Sequence, residues 1–122
     1  MKALGIIWLG GGLGSVLRYL LQVGVTRLVN ISFPLGTFLV NISGCFLIGV
    51  FFALAEKYAS FNFEWRLFLI TGLCGGFTTF STFSYEGVNL FREGNYGYFI
   101  MYILLSVVLG LLVTVLGFSV IK

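Results

Sequence analysis

Residues 72–86 read GLCGGFTTFSTFSYE, and this stretch decides how the chain is built. The adjacent glycines Gly75 and Gly76 are followed by the β-branched pair Thr78 and Thr79, a combination of poor helix propensity. The stretch lies within a long apolar segment, where a break would free backbone groups inside a membrane. Free backbone at that depth is tolerated only inside protein or beside a polar cavity. The stretch therefore predicts a binding site in a broken transmembrane helix.

The flanking charges give the predicted break a depth. Arg66 and Glu86 bracket the segment, and a helix of about twenty residues spans about 30 Å, the thickness of the hydrocarbon core. The midpoint between these two charges is Gly76. We therefore predict that the break lies near the middle of the bilayer.

The rest of the chain has the composition of an integral membrane protein. Of its 122 residues, 59% are hydrophobic and 9% are charged, and the mean hydropathy is +1.08. A soluble domain needs far more polar surface than this. The net charge of +3 comes from bases near the ends of apolar stretches, so it does not indicate a nucleic-acid partner.

The apolar stretches predict an all-α membrane protein of four transmembrane helices, the third broken at mid-bilayer, in a single domain over residues 1–122. We place the helices at 4–28, 35–56, 66–91 and 96–121, each long enough to cross the hydrocarbon core. Four spans put both ends of the chain on one side. The bases expected on that side are Lys2, Lys57, Arg66 and Lys122, with Arg27 and Arg92 opposite. This weak bias permits insertion in both directions.

Small or polar residues recur every four positions along the second and fourth helices. The two sets are Thr37, Asn41, Cys45 and Gly49, and Tyr102, Ser106, Gly110 and Thr114. Residues four apart share a helix face, so each set forms a stripe. For Asn41, bonding to a neighbouring helix and lining a wet path both remain open. For Arg18, a place beside a partner, a water-filled vestibule or an ion path is as open as snorkelling to the interface.

The residues at and after the glycine pair offer ligands for ions of either sign. Carbonyls freed within 75–78 are hard oxygen ligands that suit a small cation such as sodium. Hydroxyl groups donate hydrogen bonds and suit an anion. The hydroxyls in question belong to Ser81, Thr82 and Ser84.

Three phenylalanines at intervals of three accompany these hydroxyls. Phe77, Phe80 and Phe83 would stack along one side if the second half of the third span is helical. An aromatic ring has a positive edge, and edges turned into a narrow path could replace part of the water around an anion. On spacing alone, ordinary packing of the three rings is the favoured interpretation.

The chain resembles the Fluc (CrcB) family of fluoride channels over essentially its whole length. Three segments carry the resemblance: GGGLGSVLRY at 10–19, GTFLVNISGCFLIG at 36–49 and GLCGGFTTFSTFSYEG at 72–87. The resemblance implies passive, fluoride-selective conduction that exports fluoride from the cytoplasm across the bacterial inner membrane, giving fluoride resistance. It also implies an antiparallel, dual-topology homodimer with two pores, and no enzymatic activity.

The resemblance also implies roles for particular residues. Backbone carbonyls of Gly75 and Thr78 from both subunits would hold a structural sodium ion at the dimer centre. Arg18 resembles the family's vestibule arginine, and Glu86 resembles the acidic residue just beyond the rings. The residues implied to line each fluoride pore are Asn41, Phe80, Ser81, Thr82, Phe83, Tyr102 and Ser106.

Other classes of protein fit the sequence less well. A small multidrug-type, proton-coupled exporter is the main alternative, but it needs a carboxylate deep in its first span, where this chain has only Arg18. A structural membrane subunit would explain the faces of small residues but not the hydroxyl-rich break. Enzymatic activity is disfavoured because the chain has no His and no Asp. Cys45 and Cys74 lie inside spans and are predicted to be packing residues.

Overall fold

The fold comes from a computed structural model that describes residues 1–121, so Lys122 and its predicted side of the membrane lie outside the described residues. All elements are helical: α1 spans Lys2–Leu28, α2 Leu35–Lys57, α3 Phe63–Arg66, a π-helix Leu67–Cys74, α4 Gly75–Phe77, α5 Phe80–Arg92 and α6 Tyr96–Val120. The pieces from Phe63 to Arg92 form one continuous apolar unit, here called the third span. Four helices of the described chain are long and apolar enough to cross a membrane, as the sequence predicts.

The four spans pack as two close pairs, α1 against the third span and α2 against α6. Glycines permit the close approach in each pair. A Cβ atom on Gly14 would overlap the Leu73 carbonyl, and one on Gly49 would overlap the Thr114 carbonyl. Small residues at helix contacts commonly serve this purpose in membranes, because backbones can then meet.

The third span leaves helical geometry at two residues. Thr78 has φ −82° and ψ 157°, Thr79 has φ −149° and ψ 110°, and the helix resumes at Phe80. The Thr79 hydroxyl caps α5 by accepting a hydrogen bond from the backbone N–H of Thr82. The glycine pair itself stays helical, because Gly76 packs directly onto the backbone of Gly11. Tertiary packing there outweighs the low helix propensity of glycine.

Two contacts bring the beginning and the end of the described chain to the same end of the bundle. Lys2 Nζ lies 2.9 Å from a carboxylate oxygen of Glu64, at the start of the third span. Lys57 Nζ, at the end of α2, donates to the carbonyl of Ile121 at 3.0 Å. Because a short loop joins α2 to the third span, these four residues lie together.

A small aromatic core closes the opposite end of the bundle. Phe33, in the loop between α1 and α2, packs edge-on against Tyr102, with ring centroids 5.5 Å apart. Leu90 completes the buried cluster. Most other large apolar side chains are exposed on the outside of the helices, which is the arrangement expected of a chain whose solvent is lipid.

Candidate functional site

Asn41 on α2 makes two hydrogen bonds to the break in the third span. Its Nδ2 donates to the carbonyl of Thr79 at 3.1 Å, and its Oδ1 accepts from the backbone N–H of Thr79 at 2.9 Å. One turn further along α2, Gly44 lies against the side chains of Phe77 and Thr78. The stripe residue Asn41 therefore bonds a neighbouring helix, and it does so at the one point where that helix is extended.

Hydrogen bonds occupy some carbonyls around the break and leave others free. The Cys74 carbonyl accepts from both the backbone N–H and the hydroxyl of Thr78. The Gly76 carbonyl accepts from Arg18 Nε at 3.1 Å and from the Ser15 hydroxyl at 3.5 Å. Within residues 1–121, the carbonyls left without a hydrogen-bond donor in this segment are those of Gly75, Phe77 and Thr78.

A cavity of about 330 Å³, here called the inner cavity, lies where the break faces α2 and α6. It is lined by four of the residues implied to form the pore, Asn41, Phe80, Phe83 and Ser106, and also by Thr78, and its wall carries no charged side chain from residues 1–121. The two rings have centroids 5.8 Å apart and are tilted by 48°. The Ser106 hydroxyl is buried and has no hydrogen-bond partner in the part of the chain that the structure describes. An unused hydrogen-bond donor therefore lies just behind the apolar wall of the inner cavity.

A second cavity of about 430 Å³, here called the outer cavity, opens near the aromatic core. Thr82 and Glu86 line it together with Gln22 and Thr37. The Gln22 side-chain amide donates to the Thr37 hydroxyl at 3.0 Å, which ties α1 to α2 at its wall. The lining includes two carboxylates, those of Glu86 and Glu93, and no basic side chain.

Tyr102, implied to line the pore, lines neither cavity but contacts one residue of each. Its ring is fully buried and lies 5.0 Å, centroid to centroid, from the ring of Phe83 in the inner cavity. Its hydroxyl donates to Oε1 of Glu86 in the outer cavity at 3.2 Å. One side chain thus contacts both an inner-cavity ring and an outer-cavity carboxylate.

Three residues singled out from the sequence lie elsewhere. Arg18 lines neither cavity and bonds the backbone of the third span instead. Ser81 is exposed, with its hydroxyl 3.4 Å from that of Thr79. Phe77 packs on Gly44 outside the inner cavity, because the extended residues after it break its helical register with Phe80.

The two predicted stripes face each other across α2 and α6. The Cys45 sulfur lies beside Gly110, and Gly49 packs on the backbone of Thr114. Sequence reasoning missed the contribution of Gln22, whose signal is a polar residue one turn after Arg18 in an apolar helix. Within residues 1–121, no group of three His, Cys, Asp or Glu side chains could hold a metal ion.

Comparison with known proteins agrees with the resemblance drawn from the three segments. The family model described as "CrcB-like protein, Camphor Resistance (CrcB)" matches residues 5–118. The chain is 56% identical over 117 residues to the fluoride-specific ion channel FluC of Phocaeicola vulgatus, covering 96% of both chains. It is 48% identical to the protein of the same name from Flavobacterium psychrophilum over 122 residues, covering 100% of this chain and 98% of that one. The protein of that name from Aquifex aeolicus is 50% identical over 110 residues, covering 90% of this chain and 89% of its own.

The relatives and the fold lead to the same conclusion. Four membrane-spanning helices and bacterial ion-channel relatives identify a multi-pass protein of a bacterial membrane. The family model covers all four of those helices. The chain belongs to the CrcB-like protein family.

Proposed function

We propose that this chain is a fluoride channel that lets fluoride leave the bacterial cytoplasm passively by way of the inner cavity. The names of the relatives give the transported ion. The observation that carries the proposal on this chain is the buried, unpartnered hydroxyl of Ser106. A buried hydroxyl without a partner costs free energy, and an anion beside it would accept its hydrogen bond. The second N–H of the Asn41 amide is a further donor at the same cavity.

Selectivity follows from the size of the ion and the donors available to it. A small anion is strongly hydrated, so a narrow path must replace its water with fixed donors. The hydroxyl of Ser106 and the amide of Asn41 supply such donors, and the tilted rings of Phe80 and Phe83 present positive edges beside them. Chloride is larger and accepts hydrogen bonds more weakly, so it gains less from the same groups.

In this proposal the ion passes between the outer and the inner cavity beside Tyr102. The outer cavity, with Thr82 in its wall, is polar and wide enough for a hydrated ion. Tyr102 donates to Glu86, which fixes the position of that carboxylate in the wall of the outer cavity. Phe83, packed on the Tyr102 ring, would be the first aromatic edge that the ion meets as it loses water.

The proposed assembly is an antiparallel homodimer with two pores. One exposed face of the third span carries polar groups that lipid would not satisfy. The exposed residues with hydroxyls are Thr71, Ser81 and Ser84, and Gly75 and Phe80 are exposed as well. A second copy of this face would cover them. A two-fold axis in the membrane plane near Gly76, the predicted midplane residue, would bring the two breaks together in opposite orientations.

The proposal includes a structural sodium ion between the two breaks. Gly75 and Thr78, the two residues implied by the resemblance, have carbonyls without a donor within the described residues. Gly75 is also exposed on the face that a second copy would cover. Backbone carbonyls suit an alkali cation, so these residues fit the ion. The ion would neutralise four carbonyl dipoles that lipid cannot satisfy.

Fluoride efflux from loaded liposomes tests the proposal. Purified protein should release fluoride passively, measured with a fluoride electrode, while protein-free liposomes retain it. Ser106→Ala should slow efflux about tenfold, the value of one lost hydrogen bond, without loss of thermal stability, because an unsatisfied hydroxyl is removed. Ser119→Ala is the matched control, since Ser119 is exposed and bonds its own helix. Retention of fluoride equal to that of empty liposomes would reject the channel function.

A further inference from the structure

The pairing of Asn41 with Thr79 fixes the orientation of the side-chain amide. Both atoms of the amide bond the backbone of one residue, the nitrogen to its carbonyl and the oxygen to its N–H. An exchange of the two atoms would place donor against donor and acceptor against acceptor. The amide therefore pairs with Thr79 as a neighbouring β-strand residue would, and in one orientation.

The same bond determines where the Thr78 carbonyl points. The Thr78–Thr79 peptide is trans, as are all peptide bonds of the described chain, and in a planar trans peptide the C=O and N–H point in opposite directions. The N–H of Thr79 points at Asn41. The carbonyl of Thr78 must then point away from Asn41.

Within residues 1–121, no other hydrogen bond to the Thr78–Thr79 peptide restrains its rotation. Both residues have extended dihedral angles, so the helical hydrogen-bond ladder is absent at this point. Neither a backbone nor a side-chain donor of residues 1–121 reaches the Thr78 carbonyl. The Thr78 hydroxyl bonds the Cys74 carbonyl and leaves its own peptide plane free to turn. Among the described residues, the Asn41 oxygen is the one hydrogen-bond partner of this peptide plane.

We propose that Asn41 is a positioning residue for the cation site, acting through the Thr79 peptide. Its oxygen holds the Thr78 carbonyl toward the side where sodium is proposed, while its nitrogen serves the inner cavity. One side chain thus couples the anion path to the cation site. The inference rests on the sodium ion included in the proposed function. It adds to the sodium site a residue that bonds neither the Gly75 carbonyl nor the Thr78 carbonyl.

Two substitutions separate the roles of the two amide atoms. Asn41→Ala removes both bonds to Thr79 and frees the Thr78 carbonyl to turn. Asn41→Asp, in its protonated form, keeps an oxygen that accepts the Thr79 N–H and a hydroxyl that donates to the Thr79 carbonyl, but it removes the second N–H of the amide from the cavity. The control is Ser43→Ala on the same helix, since Ser43 bonds only the backbone of its own helix.

The test is the sodium dependence of thermal unfolding in detergent, with N-methylglucamine replacing sodium at constant ionic strength. We expect sodium to stabilise the unsubstituted protein and Ser43→Ala at the same half-saturating concentration. Asn41→Ala should require about tenfold more sodium, the equivalent of one restraining hydrogen bond. Asn41→Asp should stay within about threefold of the unsubstituted protein, although its fluoride efflux falls.

The outcomes separate this inference from the function it rests on. An unchanged half-saturating sodium concentration in Asn41→Ala overturns the inference and leaves the sodium site standing. If Asn41→Ala does not fold, the sodium response of Asn41→Asp is the test. Loss of that response overturns the inference. Absence of any sodium effect on the unsubstituted protein rejects the sodium site together with the inference. Fluoride efflux, measured separately in liposomes, then still tests the channel itself.

Discussion

The ring of Phe83 lies against the ring of Tyr102 with centroids 5.0 Å apart, and the two are tilted by 54°. The inner-cavity ring is thereby supported by a fully buried tyrosine whose hydroxyl bonds Glu86. Phe33 packs edge-on against the same tyrosine, 5.5 Å between centroids. The position of Phe83 thus depends on contacts that reach from the α1–α2 loop to the outer cavity.

Tyr102→Phe removes the hydroxyl of Tyr102 and keeps its ring, so it tests the two separately. The ring contact with Phe83 is kept, but Glu86 loses its donor. We expect fluoride efflux to fall about tenfold, as for one hydrogen bond of roughly 1.5 kcal/mol to a charged group, with stability lowered by a similar amount.

Tyr98→Phe is the matched control for the hydroxyl. Tyr98 also contacts Phe33 but lies on the exposed side of α6. Its substitution should leave efflux unchanged. Equal efflux from Tyr102→Phe and the unsubstituted protein would contradict a role for the Glu86 bond.

Phe80→Ile and Phe83→Ile should both slow fluoride efflux, since each removes a ring edge from the inner cavity. Their effects on stability should differ. Phe83→Ile loses the ring contact with Tyr102, which lowers stability by about 1 kcal/mol in addition to the loss of buried apolar area. Phe80→Ile should lower stability less, because the Phe80 side chain is 79% exposed within one chain.

Phe63→Ile is a control on the same span, because its ring is exposed and remote from the cavity. Thermal unfolding in detergent and efflux are measured on the same preparations. Undiminished efflux from both Phe80→Ile and Phe83→Ile would contradict the proposed use of ring edges.

Gly14→Ala should separate α1 from the third span. The added Cβ would overlap the Leu73 carbonyl, and backbone cannot move aside as a side chain can. Overpacking of this kind costs about 1–3 kcal/mol. Gly12→Ala is the control, since nothing lies within 4 Å of its Cβ position, and it should be neutral or stabilising by up to ~1 kcal/mol. The check is the midpoint of thermal unfolding, and equal midpoints for the two variants would show that the helices do not pack as described.

Arg18→Lys should weaken the attachment of α1 to the break, although the charge is kept. Arg18 donates through Nε to the Gly76 carbonyl, and lysine lacks that fork of donors. We expect a loss of about 1–2 kcal/mol in stability and slower efflux. Arg27→Lys, at the exposed end of α1, is the control. If Arg18→Lys and Arg27→Lys both match the unsubstituted protein in stability and efflux, the bond from Arg18 to Gly76 contributes to neither.

The sequence predicted the spans well because their signals are local. Runs of apolar residues and the charges that end them give the four helices to within a few residues, since crossing a bilayer fixes the length. The spacing of four along α2 and α6 gives the faces that carry Asn41 and Ser106. That these faces meet each other depends on glycine contacts such as Gly49 with Thr114, which spacing does not reveal.

The details of the candidate site depend on contacts between segments distant in sequence. The sequence predicts that the helix is least stable at the glycine pair, but Gly76 stays helical because α1 packs on it. The chain is extended instead at Thr78 and Thr79, where Asn41 replaces the missing helical bonds. Phe77 leaves the register of the other rings for the same reason. None of these contacts has a periodic signature.

The most direct test of the central claim is the electrical recording of purified protein in planar bilayers under a fluoride gradient. We expect discrete current steps whose reversal potential follows the fluoride gradient and does not shift when chloride is added to one side. Currents that follow chloride, or a fluoride flux without unitary currents and slow enough for a carrier cycle, would contradict a fluoride-selective channel.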